Sequence, residues 1–125
     1  MDDAKPKRGW RHKFAEAFNG LVIGSRGQSS FSVHFFFAIL VVVCAAVLEC
    51  NWIEWCLLIG CIGLVFTAEL LNSALETLFH ALDDATKNRM TGCLDIAAGA
   101  VLVASTASVI VGCIVFGQKL IHIWK

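Results

Sequence analysis

The sequence is poor in charge. Asp, Glu, Lys and Arg make up 16% of its 125 residues, against 58% hydrophobic residues. An ordinary soluble domain carries about a quarter charged residues, so this balance excludes one. Ten basic and ten acidic residues cancel, which removes bulk charge as a reason to expect a nucleic-acid partner. The single proline, Pro6, sits in the N-terminal tail. Six cysteines contain no CxxC pair, so metal and redox motifs find no support. The spacing leaves a Cys50–Cys56 disulfide open. No Walker-type glycine loop is present, so a nucleotide site here is not a P-loop. The first long apolar run begins beyond residue 30 without a cleavage pattern, and no signal peptide is expected.

What the sequence does have is three apolar stretches, enough for one domain. No formal charge falls between Arg26 and Glu49, or between Asp95 and Lys119. Both stretches meet the roughly 20 residues a membrane helix needs. The middle stretch, Trp55 to Ala68, is only 14 residues, about 21 Å of helix against a hydrocarbon core of about 30 Å. It must continue through Glu69 toward Phe79, which places Glu69 inside the membrane within roughly 9 Å of the far interface. The expected spans are about 31–48, 53–79 and 95–118. Ahead of them, Trp10, Phe14, Phe18, Leu21 and Val22 recur at helical spacing. A basic amphipathic helix over about 10–27, lying in the membrane surface, is expected there. Residues 1–9 are expected to be a disordered basic tail and 10–125 a single membrane domain.

Direction follows from the basic residues. Lys5, Lys7, Arg8, Arg11, Lys13 and Arg26 precede the first span, and Lys87 and Arg89 follow the second. The loop Glu49–Glu54 has acids but no Lys or Arg. The positive-inside rule therefore puts the N-terminus in the cytosol, with Trp52 and Trp55 at the outer interface.

Glu69, Asn72, Ser73 and Glu76 fall at i, i+3, i+4, i+7 and share one helix face. A carboxylate within a span is costly and normally marks function. The bland alternative is an interhelical hydrogen bond for Glu69 and an interfacial charge for Glu76. Asp95, opening span three on the same side, reads alone as a helix N-terminal acid. Together these groups converge on the cytosolic surface, where ATP is available. Carboxylates there can hold Mg²⁺ between phosphate oxygens, and phosphoryl transfer needs mainly positioning and charge neutralisation. The small residues Ala97-Ala98-Gly99-Ala100 allow close helix approach, and three helices offer few interior faces, so an oligomer is expected.

At these residues the chain resembles the prokaryotic integral-membrane diacylglycerol kinase family, which includes undecaprenol kinases. Ala68-Glu69-Leu70-Leu71-Asn72-Ser73-Ala74-Leu75-Glu76 is similar to its pattern AE-x-x-N-[ST]-A-x-E. Asp95-Ile96-Ala97-Ala98-Gly99-Ala100-Val101-Leu102 is similar to D-x-[AG]-[AS]-[AG]-A-V-L. Upstream, Phe14, Ala17, Phe18, Gly20 and Leu21 resemble the surface-helix pattern, and Phe31 and His34 fall where members read F-x-x-H. The likeness covers roughly residues 10–120.

The resemblance implies an all-α homotrimer in the bacterial inner (cytoplasmic) membrane, with a surface helix, three transmembrane helices and active sites shared between subunits. It implies ATP- and Mg²⁺-dependent phosphorylation of a lipid alcohol, diacylglycerol or undecaprenol. Glu69 matches the general base, and Glu69 and Ala98 match positions at the lipid. Glu76 matches the ligand of the metal that travels with ATP, Asn72 an active-site position, and Leu94 and Asp95 a nucleotide-contacting pair. Two positions depart from the pattern. Gln28 stands where the family has a second metal-binding glutamate, and Leu94 where it has a lysine; Lys87, Arg89 or Arg26 could supply the missing cation. These departures motivate an alternative, a weak or inactive relative acting in lipid binding or assembly. A transporter using the intramembrane acid as a proton carrier suits the interfacial Glu76 and Asp95 poorly.

Overall fold

The computed structural model describes residues 9–26 and 29–124. The expected basic tail up to residue 8, and Gln28, lie outside the described residues. Five helices follow in order: α1 (Trp10–Ser25), α2 (Ser29–Val47), α3 (Trp52–His80), α4 (Asp84–Arg89) and α5 (Cys93–Trp124). No strand occurs among the described residues. Three of the helices, over Ser30–Val47, Trp52–His80 and Cys93–Trp124, are long and apolar enough to cross a membrane. The protein is an all-helical, multi-pass membrane protein. The 29 residues of α3 reach about 43 Å, more than a hydrocarbon core of about 30 Å. The helix runs without a break through Glu69.

Each turn has a local cause. Where α2 ends, Glu49 takes a left-handed φ of 53°. Cys50 N–H then donates to Ala45 O at 3.0 Å and Glu49 N–H to Ala46 O at 3.3 Å, which together satisfy the last carbonyls as a Schellman motif does. Asn51 caps α3 at once. Its side chain accepts from Glu54 N–H, and Glu54 Oε1 accepts from Asn51 N–H, both at 2.9 Å, a reciprocal capping box. Glu54 is thus the third residue of α3 and not a loop acid. Lys119 of α5 reaches over this corner, 3.0 Å from Glu54 Oε1 and donating to Glu49 O at 3.2 Å.

The tightest packing is between α3 and α5. Leu58, Val65, Glu69 and Ser73 are buried on α3; Ala97, Ala104 and Val115 are buried on α5. Partly buried Val101, Ser108 and Val111 fill the α5 row, giving steps of four and three residues as in a left-handed helix pair. The small side chains let the backbones approach: Ser108 Oγ donates to Cys61 O of α3 at 3.3 Å and to Ala104 O at 2.8 Å. Leu58 meets Val115 at the other end, so the pair is antiparallel, and Ala45 of α2 closes that cluster with 0% exposure. All six cysteines are free, Cys50 and Cys56 included.

The connection after α3, which carries the basic Lys87 and Arg89, contains α4. Asp83 caps it by accepting from Thr86 N–H at 2.9 Å. Gly92, at φ +88°, makes the turn into α5, a conformation that favours glycine. Along α1, Trp10, Phe14, Phe18 and Leu21 are exposed, and α1 meets α3 at Gly24, beside Leu70.

Candidate active site

Glu69 retains only 3% of its exposure, and Ser73 one turn on retains 5%. A buried carboxyl needs partners for its lone pairs, and α2 provides them. Ser30 Oγ donates to Glu69 Oε2 at 3.3 Å, and His34 Nε2 lies 3.2 Å from Glu69 Oε1. Ser30 and His34 are four residues apart and so share a face of α2. That face is held to α3 by aromatic contact: Phe66 packs against Phe31 and Phe35 with ring centroids 5.1 and 6.4 Å apart.

Further along the same face of α3, Asn72 Nδ2 donates to Glu76 Oε1 at 3.1 Å. Asn72 Oδ1 and Ser73 Oγ are buried without hydrogen-bond partners. Two buried oxygens without partners beside Glu69 and Glu76 are costly. No group of three or more His, Cys, Asp or Glu among the described residues could hold a metal ion, so a dedicated protein cage is absent there. The donors present fit Mg²⁺ of another kind: it accepts one or two carboxylates and completes its shell with phosphates and water. Glu76 and Asn72 Oδ1 are hard oxygen donors one turn apart.

Two cavities flank this face. An apolar groove of about 690 Å³ runs between α2, α3 and α5, from Leu120, Val41 and Leu58 at one end to His34, Phe66 and Ser105 at the other. It ends on the imidazole that touches Glu69. A second cavity, of about 340 Å³, lies where α3, α4 and α5 meet and is lined by Phe79, Lys87, Gly92, Leu94 and Asp95 among others. Lys87 Nζ sits 5.8 Å from the Phe79 ring centre.

The structure therefore sorts the residues expected from sequence into three groups. Glu69 is buried with α2. Asn72 and Glu76 are hydrogen-bonded to each other. Leu94 and Asp95 share a cavity with Lys87. Ala98 follows Asp95 by one turn and is exposed, while neighbouring Ala97 is buried against the core. Arg89 closes α4 and is exposed. Gln28 lies outside the described residues. The sequence alternative of an interhelical hydrogen bond to Glu69 is met by Ser30 of α2 rather than by a serine of span three, and His34 was not foreseen as a partner. His34 stood in plain view as an imidazole in an uncharged run, but only the packing of α2 on α3 shows what it faces.

Residues 15–116 match the family described as prokaryotic diacylglycerol kinase. The chain is 32% identical over 122 residues to an undecaprenol kinase of Bacillus subtilis (strain 168), covering 94% of this chain and 99% of that protein. It is 35% identical over 107 residues to a diacylglycerol kinase of Synechocystis sp. (strain ATCC 27184 / PCC 6803 / Kazusa), covering 79% of this chain and 57% of that protein. No solved structure matches the chain.

Proposed function

The chain belongs to the prokaryotic diacylglycerol kinase family and is a lipid kinase, and we propose that it transfers the γ-phosphoryl group of ATP to the hydroxyl of diacylglycerol or undecaprenol, with Glu69 as general base. The observation that carries this reading is the buried Glu69 carboxyl in contact with His34, which lines an apolar groove. A lipid body occupying the groove would bring its hydroxyl to the carboxyl, and an ionisable group within a span marks function by default.

In this reading Glu69 accepts the hydroxyl proton as the alcohol oxygen bonds to the γ-phosphorus and the bond to the bridging oxygen of ADP breaks. Glu76 and Asn72 Oδ1 would hold the Mg²⁺ that arrives with ATP, and Gln28 is the residue matched to the family's second metal-binding position. The ion supplies neutralisation of phosphate charge when bound. Asp95 and Leu94 face the nucleotide, and Lys87, in the lining of the same cavity, supplies the cation that Leu94 does not. Ala98, one turn beyond Asp95, borders the lipid. The N-terminus and the α3–α5 connection are cytosolic, in the inner membrane of a bacterium, as their basic residues favour. α1 lies in the membrane surface with its exposed aromatic residues in the lipid. Three copies assemble so that each active site draws on neighbouring subunits.

Protein purified in detergent micelles, given Mg²⁺, saturating ATP and either lipid, is expected to phosphorylate at least one of them, and Glu69→Gln to cut transfer to a small residual rate. No transfer to either lipid would sink the kinase reading. It would favour the alternative motivated by Gln28 and Leu94, a lipid-binding or assembly relative.

A further inference from the structure

The carboxyl of Glu69 is held on both oxygens from α2, by one half-buried residue and one exposed one. His34 Nε2 is 3.2 Å from Oε1, and the exposed Ser30 reaches Oε2 with its Oγ at 3.3 Å. The His34 side chain is 22% exposed and that of Glu69 4%, so a proton between them is shielded from bulk water. The imidazole also lines the end of the apolar groove. One side chain thus touches both the groove that would hold a lipid and the group read as the base.

We propose that His34 is the positioning residue of Glu69, donating Nε2–H to Oε1 and so turning Oε2 toward the hydroxyl of the lipid. The inference rests on the reading of Glu69 as the base. The last torsion of a glutamate side chain is broad and roughly two-fold, so an unanchored carboxyl swings and loses its aim. A fixed donor on one oxygen removes that freedom. The donor must itself be fixed, and it is: Phe31 and Phe35, three residues before His34 and one after, pack on Phe66, one turn before Glu69. These rings set the register of α2 against α3 at the height where the imidazole meets the carboxyl. Ser30 is the weaker, exchangeable contact, because its hydroxyl can rotate away when the substrate hydroxyl arrives.

The test compares kcat and KM in micelles for the full chain, wild type and His34→Leu, His34→Gln, His34→Asn, Glu69→Gln and the His34→Leu/Glu69→Gln double variant, with thermal unfolding as a check on folding. His34→Leu is expected to lower kcat by about 100-fold, the cost of a misplaced catalytic group, with KM for ATP unchanged. His34→Gln offers an N–H at nearly the same reach and should restore most of that loss. His34→Asn is polar but too short and should not, which keeps the comparison open even if the leucine variant misfolds. In the Glu69→Gln background, His34→Leu should add nothing, because the two residues act as one unit. Unchanged kcat in folded His34→Leu, or glutamine and asparagine variants of equal activity, would overturn the proposal. So would losses that multiply in the double variant. Full activity in Glu69→Gln would instead remove the base assignment, and the proposal with it.

Discussion

Gly24 of α1 lies so close to α3 that a Cβ there would come 2.7 Å from Leu70 Cδ2. Leu70 is the residue after the buried Glu69. The contact is the place where the N-terminal helix meets the helix that carries the acid.

This close approach makes Gly24 a sensitive position. The clashing atom is the far end of a flexible leucine, so Gly24→Ala is expected to be accommodated by a turn of Leu70 with little loss of activity. Gly24→Val adds branching that a rotamer change cannot absorb, and overpacking of this kind costs about 1–3 kcal/mol. The expected result is a lower Tm in detergent and an increased distance between spin labels on α1 and on α3. An unshifted Gly24→Val would show that α1 does not rest on Leu70.

Asn72 is the next test of the acidic face. Its Nδ2 orients Glu76, and its Oδ1 is buried without a partner. Asn72→Leu removes both atoms at similar volume. The Mg²⁺ concentration giving half-maximal activity is expected to rise by about tenfold or more, in line with the loss of a group that holds or orients a ligand. An unchanged Mg²⁺ titration with a reduced kcat would move Asn72 away from the metal and toward the reacting groups.

How much of this was legible beforehand depends on the kind of signal. The three apolar helices were, because the length and charge gaps that define a span are local properties of the chain. The shared face of Glu69, Asn72, Ser73 and Glu76 was, because helical spacing fixes it. Glu54 was read as a loop acid, although Asn51-Trp52-Ile53-Glu54 carries the spacing of a capping box. The tryptophans beside it drew the segment toward the interface reading. The helix over Asp84–Arg89 was missed for a different reason: six residues are too few to show a period. The link between His34 and Glu69 spans 35 positions and depends on how two apolar helices rotate against each other. Nothing in a run of phenylalanines fixes that rotation.

Glu49 offers a test of the corner between α2 and α3. It is the described non-glycine residue with a positive φ, 53°, a conformation that costs a residue with a Cβ about 1–2 kcal/mol. Glycine is the usual occupant of this position in the motif. Glu49→Gly keeps the carbonyl that Lys119 grips and is expected to raise stability by up to about 1 kcal/mol, visible as a higher Tm, with activity unchanged. A lower Tm would mean that the Glu49 side chain contributes an interaction larger than the backbone strain.

Asp83 links the cavity beside Asp95 to pH. Hydrogen bonds from Thr86 hold its carboxyl below the ordinary aspartate value, so the folded state favours the ionised form. The stabilisation of α4 is therefore fully present above the unfolded value of about 3.9 and is lost as pH falls through the lower folded value. Amide protection over Asp84–Arg89, corrected for the intrinsic exchange rate at each pH, should fall as acid protonates the cap, while α3 and α5 stay protected. Asp83→Ala should show fast exchange in α4 already at neutral pH, and Asp83→Asn, which still accepts a hydrogen bond, should stay protected and lose the pH dependence. Because Lys87 and Asn88 of α4 line the same cavity as Leu94 and Asp95, fraying there should also raise KM for ATP while leaving the lipid KM alone. If both KM values move together in Asp83→Ala, α4 supports the helix pair as a whole rather than the cavity beside Asp95 alone.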